Sequence, residues 1–221
     1  LNTYVPFSQE VENLNTARLL PATLYLTNHE GGLDASQTDE HMNSIAQTTA
    51  ALENKPHDTT LLLRRALDYY HVRDFENAIA DMNDYLQRDP HSQVGLMLRA
   101  QCRFAQLEVS QTTSSASDLR LGYLMVLQDY NRALEEHPES PYLLYNTACL
   151  MVQLSDYAGA IRMFDQALTL DSKFSDAYYS RGVAHILAGD TEQGLTDLSQ
   201  AGELGLYTAY SLIKHYSTQK K

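Results

Sequence analysis

The sequence predicts an all-α fold, a solenoid of about four helical hairpins with one further helix at each end. Three observations support this: similar segments recur at a fixed spacing, apolar residues recur with helical periodicity, and prolines stand where second helices should stop. The recurring segments are Ala51–Pro56, Tyr85–Pro90, Ala133–Pro138 and Ala167–Ser172, with spacings of 34, 48 and 34 residues. The period is therefore 34 residues, with an insertion in the second repeat.

Each repeat has the pattern of two helices joined by a tight polar turn. In one repeat Ala160, Phe164, Ala167 and Leu168 share one face of the second helix. The turn before that helix is Ser155-Asp156-Tyr157, and similar turns occur at residues 73–75 and 189–191. The prolines at 56, 90 and 138 lack the N–H that would continue a helix, so they end the second helices.

These patterns divide the chain into four kinds of segment. Residues 1–35 are an extended or linker segment without helical period, in which Leu24-Tyr25-Leu26 suggests extended structure. The remaining segments are a front capping helix at 36–56, repeats at 57–92, 93–140, 141–174 and 175–206, and a capping helix with a tail at 207–221. The chain begins at Leu1 without a Met, which indicates a piece of a longer protein.

The insertion near 107–120 is predicted to be a mobile loop because Ser and Thr dominate residues 109–117. Loops tolerate added length at little entropic cost, so it is expected to be a surface insertion. The alternative is a flap over a ligand groove.

Small residues recur where two helices of a hairpin would approach closely. They are Ala66, Ala100, Ala148 and Gly182 in the first helices, and Ala78, Val126, Ala160 and Gly194 in the second. In this pattern the chain resembles the tetratricopeptide-repeat family. It departs from that family in having no Trp and in carrying Arg103 and His185 where Tyr is usual.

The resemblance implies a concave face that binds peptides through first-helix residues. Carried over by position, the lining residues of this groove are Leu63, Leu67, Tyr70, Met97, Gln101, Phe104, Tyr142, Tyr145, Cys149, Gln153, Asp176, Tyr179, Val183 and Ile186. Leu63 and Leu67 stand where family members that grip acidic chaperone tails carry Lys and Asn, so that activity is not supported. Two alternatives remain: an exposed ligand groove, or a face covered by the N-terminal segment or by another copy.

An Arg precedes the small first-helix residue in three repeats, and the same repeats carry an Asp in the second helix. This predicts the salt bridges Arg65–Asp81, Arg99–Asp129 and Arg181–Asp197, which would fix the pairing of the helices. The remaining repeat has Thr147 and Met163 and loses both partners together. The alternative is that each Arg faces solvent.

Composition and motifs exclude several function classes. The formal net charge of −12 is unfavourable for binding nucleic acid, and no apolar run approaches the ~20 residues of a membrane span. Phosphate-binding, zinc-protease and hydrolase motifs are absent, and no two His form an i, i+4 pair, so neither a cofactor nor a metal is expected. Cys102 and Cys149 are expected to be buried free thiols.

The sequence therefore predicts a non-catalytic scaffold that binds a protein or peptide. The alternative is a structural spacer or a module that self-associates into a homo-oligomer. The ending Gly202-Glu203-Leu204-Gly205-Leu206 and the segment Thr27–Glu30 are similar to the C-terminal region of long exported bacterial tetratricopeptide-repeat proteins. That resemblance implies the periplasm or cell envelope as the compartment, with the cytoplasm as the alternative.

Overall fold

A computed structural model describes residues 7–19 and 33–218. Within these residues the secondary structure consists of eleven α-helices without a β-strand. The helices are α1 Phe7–Asn15, α2 Ala35–Asn54, α3 Thr59–His71, α4 Phe75–Arg88, α5 Gln93–Ser110, α6 Ala116–Glu136, α7 Pro141–Gln153, α8 Tyr157–Leu170, α9 Ser175–Leu187, α10 Thr191–Glu203 and α11 Thr208–Thr218. The all-α fold expected from the sequence is confirmed.

The molecule consists of two compact units. The first unit takes its described residues from Leu1–Ala17 and His29–Glu136, and therefore contains α1 to α6. The second unit takes its described residues from Arg18–Asn28 and His137–Lys221, and contains α7 to α11. Each unit holds two helical hairpins, α3–α4 with α5–α6 and α7–α8 with α9–α10.

The hairpin turns are built from the same local elements in both units. An aspartate caps the second helix through its side chain, which accepts a backbone N–H three residues on at Asp74, Asp156 and Asp190. The residue before each cap has positive φ: 64° at Arg73, 63° at Ser155 and 94° at Gly189. Only glycine adopts this conformation without steric cost, so the turn geometry overrides residue preference in the α3–α4 and α7–α8 hairpins.

The helices of a hairpin approach closely where the small residues lie. Ala66, Ala78, Ala148 and Ala160 are fully buried at these crossings. In the α9–α10 hairpin a Cβ on Gly182 would lie 2.8 Å from the carbonyl oxygen of Gly194. That distance is too short for a carbon–oxygen contact, so this crossing requires glycine rather than alanine.

The insertion extends two helices and does not form the predicted long loop. Helices α5 and α6 have 18 and 21 residues, whereas α3 and α4 have 13 and 14. The connection between them is confined to residues 111–115, and Ser115 accepts a hydrogen bond from the N–H of Asp118 at the start of α6. Because Leu107 packs against Gly122 across the two extensions, apolar contact sustains helix where Ser and Thr suggested a loop.

The N-terminal segment contains a helix where none was predicted. Helix α1 has nine residues and buries only Leu14, so its apolar pattern is too short to be distinctive. Helix α1 packs against α5. The expectation of extended structure at Leu24–Leu26, the segment Thr27–Glu30 and the last residues of the tail, 219–221, lie outside the described residues.

Helix α11 covers the end of the second unit. Ala209 of α11 is buried against a cluster that includes Tyr179, Val183, Leu198 and Ala201. Tyr207 and Tyr210 remain largely exposed on the outer side, with rings stacked at 6.5 Å. One side of the helix is therefore apolar and buried and the other faces solvent, as the end of a helical stack requires.

Candidate functional site

Three of the four hairpins are held by bidentate arginine–aspartate pairs. Arg65 donates from Nε and Nη2 to the two carboxylate oxygens of Asp81, at 2.8 and 2.6 Å. Arg99 and Asp129 pair at 3.0 and 2.5 Å, and Arg181 and Asp197 at 2.8 and 2.7 Å. The aspartates are 5, 1 and 2% exposed, so the alternative in which each arginine faces solvent does not hold.

Each of these arginines also reaches back to the second helix of the preceding hairpin or to α2. The Nη1 group donates to a residue sixteen positions earlier: Thr49 for Arg65, Asn83 for Arg99 and Asp165 for Arg181. Arg103 adds a further bond to Asp129 at 2.6 Å. Each arginine therefore ties three helices together, which raises the pKa of Arg65 and Arg181 chiefly through hydrogen bonding to Asp81 and Asp197.

The α7–α8 hairpin has no such pair and is held by apolar packing. Thr147 is fully buried and donates to the carbonyl oxygen of Leu143 within its own helix. Nine of the 13 residues of α7 are buried, including every residue from Leu143 to Leu150. A helix buried on this scale is covered on the side that faces away from α8 as well. Residues 18 and 19 contribute part of this cover.

The backbone of Leu19 is bound by a buried side chain of α7. Its N–H donates to Oδ1 of Asn146 at 2.8 Å, and Asn146 is fully buried. The Leu19 side chain is 6% exposed. Asn146 binds the backbone N–H of residue 19 whatever side chain that residue carries. This contact therefore recognises the backbone path of the segment rather than its sequence.

The side chain of Arg18 enters a box made of one carboxylate and two aromatic rings. Its Nη1 donates to Oδ2 of Asp176 at 2.6 Å. Its guanidinium carbon lies 4.8 Å from the ring centre of Phe174 and 5.4 Å from that of Tyr142. Burial by itself would lower the pKa of Arg18, but hydrogen bonding to Tyr142 and the charge of Asp176 raise it overall. We call Tyr142, Phe174 and Asp176 the arginine box.

A polar cluster lies on the same helices, α7 and α9. The hydroxyl of Tyr145 is 3.3 Å from Oγ of Ser180. Burial raises the pKa of the Cys149 thiol to about 12, so Cys149 is a protonated, unreactive thiol at neutral pH. Further along α7 the Nε2 atom of Gln153 is buried and has no hydrogen-bond partner among the described residues. We define the second-unit face as Tyr142, Asn146, Gln153, Phe174 and Asp176.

The corresponding side of the first unit is covered by α1 and contains a pocket of about 720 Å³. The lining is shared by α1, α2, α3 and α5; from α1 it includes Glu10 and Leu14, and from α3 Leu67 and Asp68. The ring of Phe7 lies 4.5 Å from the guanidinium of Arg64. Burial raises the pKa of Glu10, although the charge of Arg64 opposes it.

A histidine pair adjoins a buried aspartate in this pocket. Asp68 is 3% exposed, accepts from the hydroxyl of Ser44 at 2.6 Å and lies 2.8 Å from Nδ1 of His41. The rings of His41 and His71 are stacked at 4.7 Å. Desolvation lowers the pKa of His71, as does His41, with Asp68 opposing. Among the described residues, no group of three or more His, Cys, Asp or Glu side chains could hold a metal ion.

The predicted groove residues are covered rather than open. Nine of the fourteen are buried: Leu63, Leu67, Met97, Gln101, Phe104, Tyr145, Cys149, Tyr179 and Val183. The other five are half-buried: Tyr70, Tyr142, Gln153, Asp176 and Ile186. These side chains are therefore not freely exposed, and their role in binding a peptide stays a prediction.

Several residues of the second-unit face and of the first-unit pocket could not be identified from the sequence alone. Asn146, Phe174 and Asp68 were not singled out, because a single Asn, Phe or Asp carries no pattern. Arg18 and Leu19 cannot be predicted because their binding depends on contacts more than 120 residues away in the chain.

Among the described residues, no helix is both long and apolar enough to cross a membrane.

Comparison with known proteins gives one family and one fold. Residues 145–201 match the family model of the tetratricopeptide repeat. The fold is similar to that of MamA, with a TM-score of 0.66 and 15% identity over 83% of this chain and 99% of that chain. It is also similar to a thermophilic tetratricopeptide-repeat protein of Thermus thermophilus, TTC0263, with a TM-score of 0.58 and 14% identity over 86% and 96% of the two chains.

Curated relatives include plant DnaJ proteins. The chain is 27% identical over 172 residues to the DnaJ protein P58IPK homolog B of Oryza sativa subsp. japonica, covering 75% of this chain and 36% of that protein. It is 27% identical over 171 residues to the DnaJ protein P58IPK homolog of Arabidopsis thaliana, covering 74% and 34%. The chain thus spans about a third of the length of these relatives.

Proposed function

We propose that the chain, whose residues 145–201 match the tetratricopeptide-repeat family model, binds extended segments of other proteins, without catalysis, on the second-unit face. The observation that carries the proposal is the hydrogen bond from the Leu19 N–H to the buried Asn146. An amide this deeply buried has a large cost if unpaired, so it selects a backbone donor at that position.

The second-unit face has the length and chemistry to hold more than two residues. Asn146 and Gln153 are seven residues apart on α7, about 10 Å along the helix axis, which three residues of an extended chain also span. The Nε2 of Gln153, which has no hydrogen-bond partner in the part of the chain that the structure describes, offers a donor to a peptide carbonyl. Tyr142 and Phe174 add aromatic surface, which anchors partners at small entropic cost.

A selection from a displayed library of random decapeptides tests the proposal. The bait is the full chain with Arg18→Ala and Leu19→Pro, which removes the guanidinium and the backbone N–H that occupy the second-unit face; its helicity and unfolding midpoint are checked first. Selected peptides are then titrated against this bait carrying Asn146→Leu, or, as the matched control, Asn131→Leu on the exposed surface of α6. We expect Asn146→Leu to weaken binding at least tenfold and Asn131→Leu to leave it unchanged. Absence of selected peptides, or binders indifferent to Asn146→Leu, would contradict the proposal.

A second candidate function is a structural or self-associating module, favoured by the cover that residues 18 and 19 already provide. In that case the segment completes the fold or occupies the same face of another copy. Light scattering over a range of concentrations distinguishes these cases from the first proposal. A mass that rises with concentration, and returns to the monomer in Arg18→Ala/Leu19→Pro, would establish self-association through this segment.

A further inference from the structure

The residues that fill the second-unit face indicate what chemistry it selects. Asn146 binds a backbone and is indifferent to the side chain. The arginine box, in contrast, contacts a side chain through one carboxylate and two ring faces, with Asp176 at 2.6 Å and the ring centres of Phe174 and Tyr142 at 4.8 and 5.4 Å. Specificity therefore resides in the box.

Resting on the proposed function, we propose that the second-unit face is a receptor for extended segments in which an arginine precedes a large aliphatic residue. Arg18–Leu19 is then a resident pseudo-ligand, which a segment of the same chemistry in a partner protein displaces.

The geometry of the box selects arginine over lysine. A guanidinium is planar and weakly hydrated, so it can lie against both rings while one nitrogen reaches a carboxylate. Tyr142 and Phe174 are inclined at 61° with centroids 5.4 Å apart, which leaves Arg18 in contact with both. An ammonium is a compact, strongly hydrated charge and cannot satisfy both contacts from one position. The next residue is buried to 6% exposure, which selects an aliphatic side chain.

The resident segment is held loosely enough to be displaced. The Arg18 side chain is 45% exposed and Asp176 26%, so their ion pair is only partly shielded from water. The described contacts of Leu19 include a single backbone hydrogen bond to Asn146. The strength of this occupant comes from its covalent connection, since a tethered ligand acts at an effective concentration on the order of millimolar. The net charge of −12 draws basic partners toward the protein.

Fluorescence polarisation with labelled peptides tests the inference. The probe has the sequence of residues 15–20, Asn-Thr-Ala-Arg-Leu-Leu, capped at both ends; two comparison peptides carry Lys or Gln in place of the Arg. The protein is the full chain, either wild type or with Arg18→Ala/Leu19→Pro. We expect the opened chain to bind the arginine peptide at least about tenfold more tightly than wild type does, because the tethered competitor is gone.

Selectivity is tested in the opened chain. We expect the Gln peptide to bind about tenfold more weakly and the Lys peptide to bind more weakly than the Arg peptide. Asp176→Asn should cost the arginine peptide about tenfold, whereas the matched control Asp165→Asn, an exposed carboxylate on α8, should cost nothing. If the double variant does not fold, Arg18→Gln alone vacates the box and replaces it.

The outcomes separate this inference from the proposed function. Equal binding of the Arg, Lys and Gln peptides, or library binders that depend on Asn146 but contain no arginine, would overturn the arginine box and leave peptide binding in place. Failure of the library to give any binder would overturn the proposed function itself. Tighter or equal binding by wild type would show that Arg18–Leu19 does not occupy the site.

Discussion

The two units stabilise the same kind of hairpin by different means. In the first unit both full hairpins carry an arginine–aspartate pair, and the side covered by α1 is rich in titratable groups such as Glu10, His41 and Asp68. In the second unit only α9–α10 carries the pair. The other hairpin, α7–α8, is held by apolar packing, and residues 18 and 19 lie across its first helix.

This difference shows which hairpin of such a fold can also serve as a binding surface. An arginine–aspartate pair needs buried charge with all its hydrogen bonds made, which fixes the helices that carry it. Helix α7 has Thr147 at the arginine position, so it carries no buried arginine–aspartate pair there. Its neighbouring residues, Tyr142, Tyr145 and Asn146, are thereby left to contact a segment of chain. We therefore expect charge substitutions to change mainly the stability of the first unit. Occupancy of the second-unit face should change mainly the stability of the second unit.

The largest effect is expected from Asp129→Ala in the first unit. Asp129 is 1% exposed and accepts from both Arg99 and Arg103, so its removal takes a buried acceptor from two arginines and leaves Arg99 with only Asn83. We expect a loss of about 3–5 kcal/mol in the free energy of unfolding, measured by urea denaturation followed by circular dichroism. Asp197→Ala, which deprives one arginine, should cost less.

The control for this prediction is Asp165→Ala. Asp165 also binds an arginine, Arg181, but its side chain is 53% exposed, so we expect a loss below about 1 kcal/mol. Equal losses for Asp129→Ala and Asp165→Ala would contradict the claim that burial makes these pairs matter.

A smaller effect of opposite sign is expected from Glu108→Gln on α5. Burial raises the pKa of Glu108 from 4.5 to about 7, and its Oε1 atom has no partner among the described residues. The folded state therefore keeps a proton that the unfolded state loses between pH 4.5 and 7, and stability falls as the pH rises through that window.

A glutamine at position 108 removes this dependence. At pH 8 Glu108→Gln should stabilise the protein by about 1–2 kcal/mol, and at pH 4 it should have little effect. Glu135→Gln, an exposed glutamate on α6, is the matched control and should change neither value. A stabilisation equal at both pH values would show that the charge of Glu108 is not responsible.

The smallest effect is expected at His71. Its pKa is lowered mainly by burial, so the unfolded state takes up a proton first as the pH falls below about 6.5. In the Glu108→Gln background, which removes the opposing pH dependence of Glu108, the first unit should lose stability between pH 7 and 5, and His71→Gln should reduce that loss by less than about 1 kcal/mol. Hydrogen exchange resolved along the chain measures this in each unit. The exposed His57→Gln is the control; an equal loss in the second unit would remove the distinction between the units.

The repeats and their internal salt bridges could be predicted from the sequence because they are periodic. In three of the four hairpins an Arg of the first helix and an Asp of the second lie opposite each other at matching repeat positions. The pairing of Arg65 with Asp81 can therefore be predicted from the sequence. The backward contact of each arginine could not be predicted, because its acceptor is a hydroxyl at Thr49, an amide at Asn83 and a carboxylate at Asp165, three residue types that share only an acceptor oxygen.

The cover of the binding surface could not be predicted for a different reason. Helix α1 has nine residues with one buried side chain, too few for a periodic signal. Arg18 and Leu19 are an ordinary dipeptide whose role depends on Asn146 and Asp176, far away in sequence. The first-helix positions were identified by resemblance, but whether such a position faces solvent depends on what the rest of the chain places over it.

The most direct measurement of the central claim is amide hydrogen exchange at Leu19, followed by NMR in the full chain. Leu19 lies outside any helix, so the hydrogen bond to Asn146 is the contact that would protect its N–H. We predict exchange at least about tenfold slower than the intrinsic rate of an unstructured amide, and loss of this protection when the arginine peptide is added in excess. Exchange at the intrinsic rate in the unliganded protein would contradict the account.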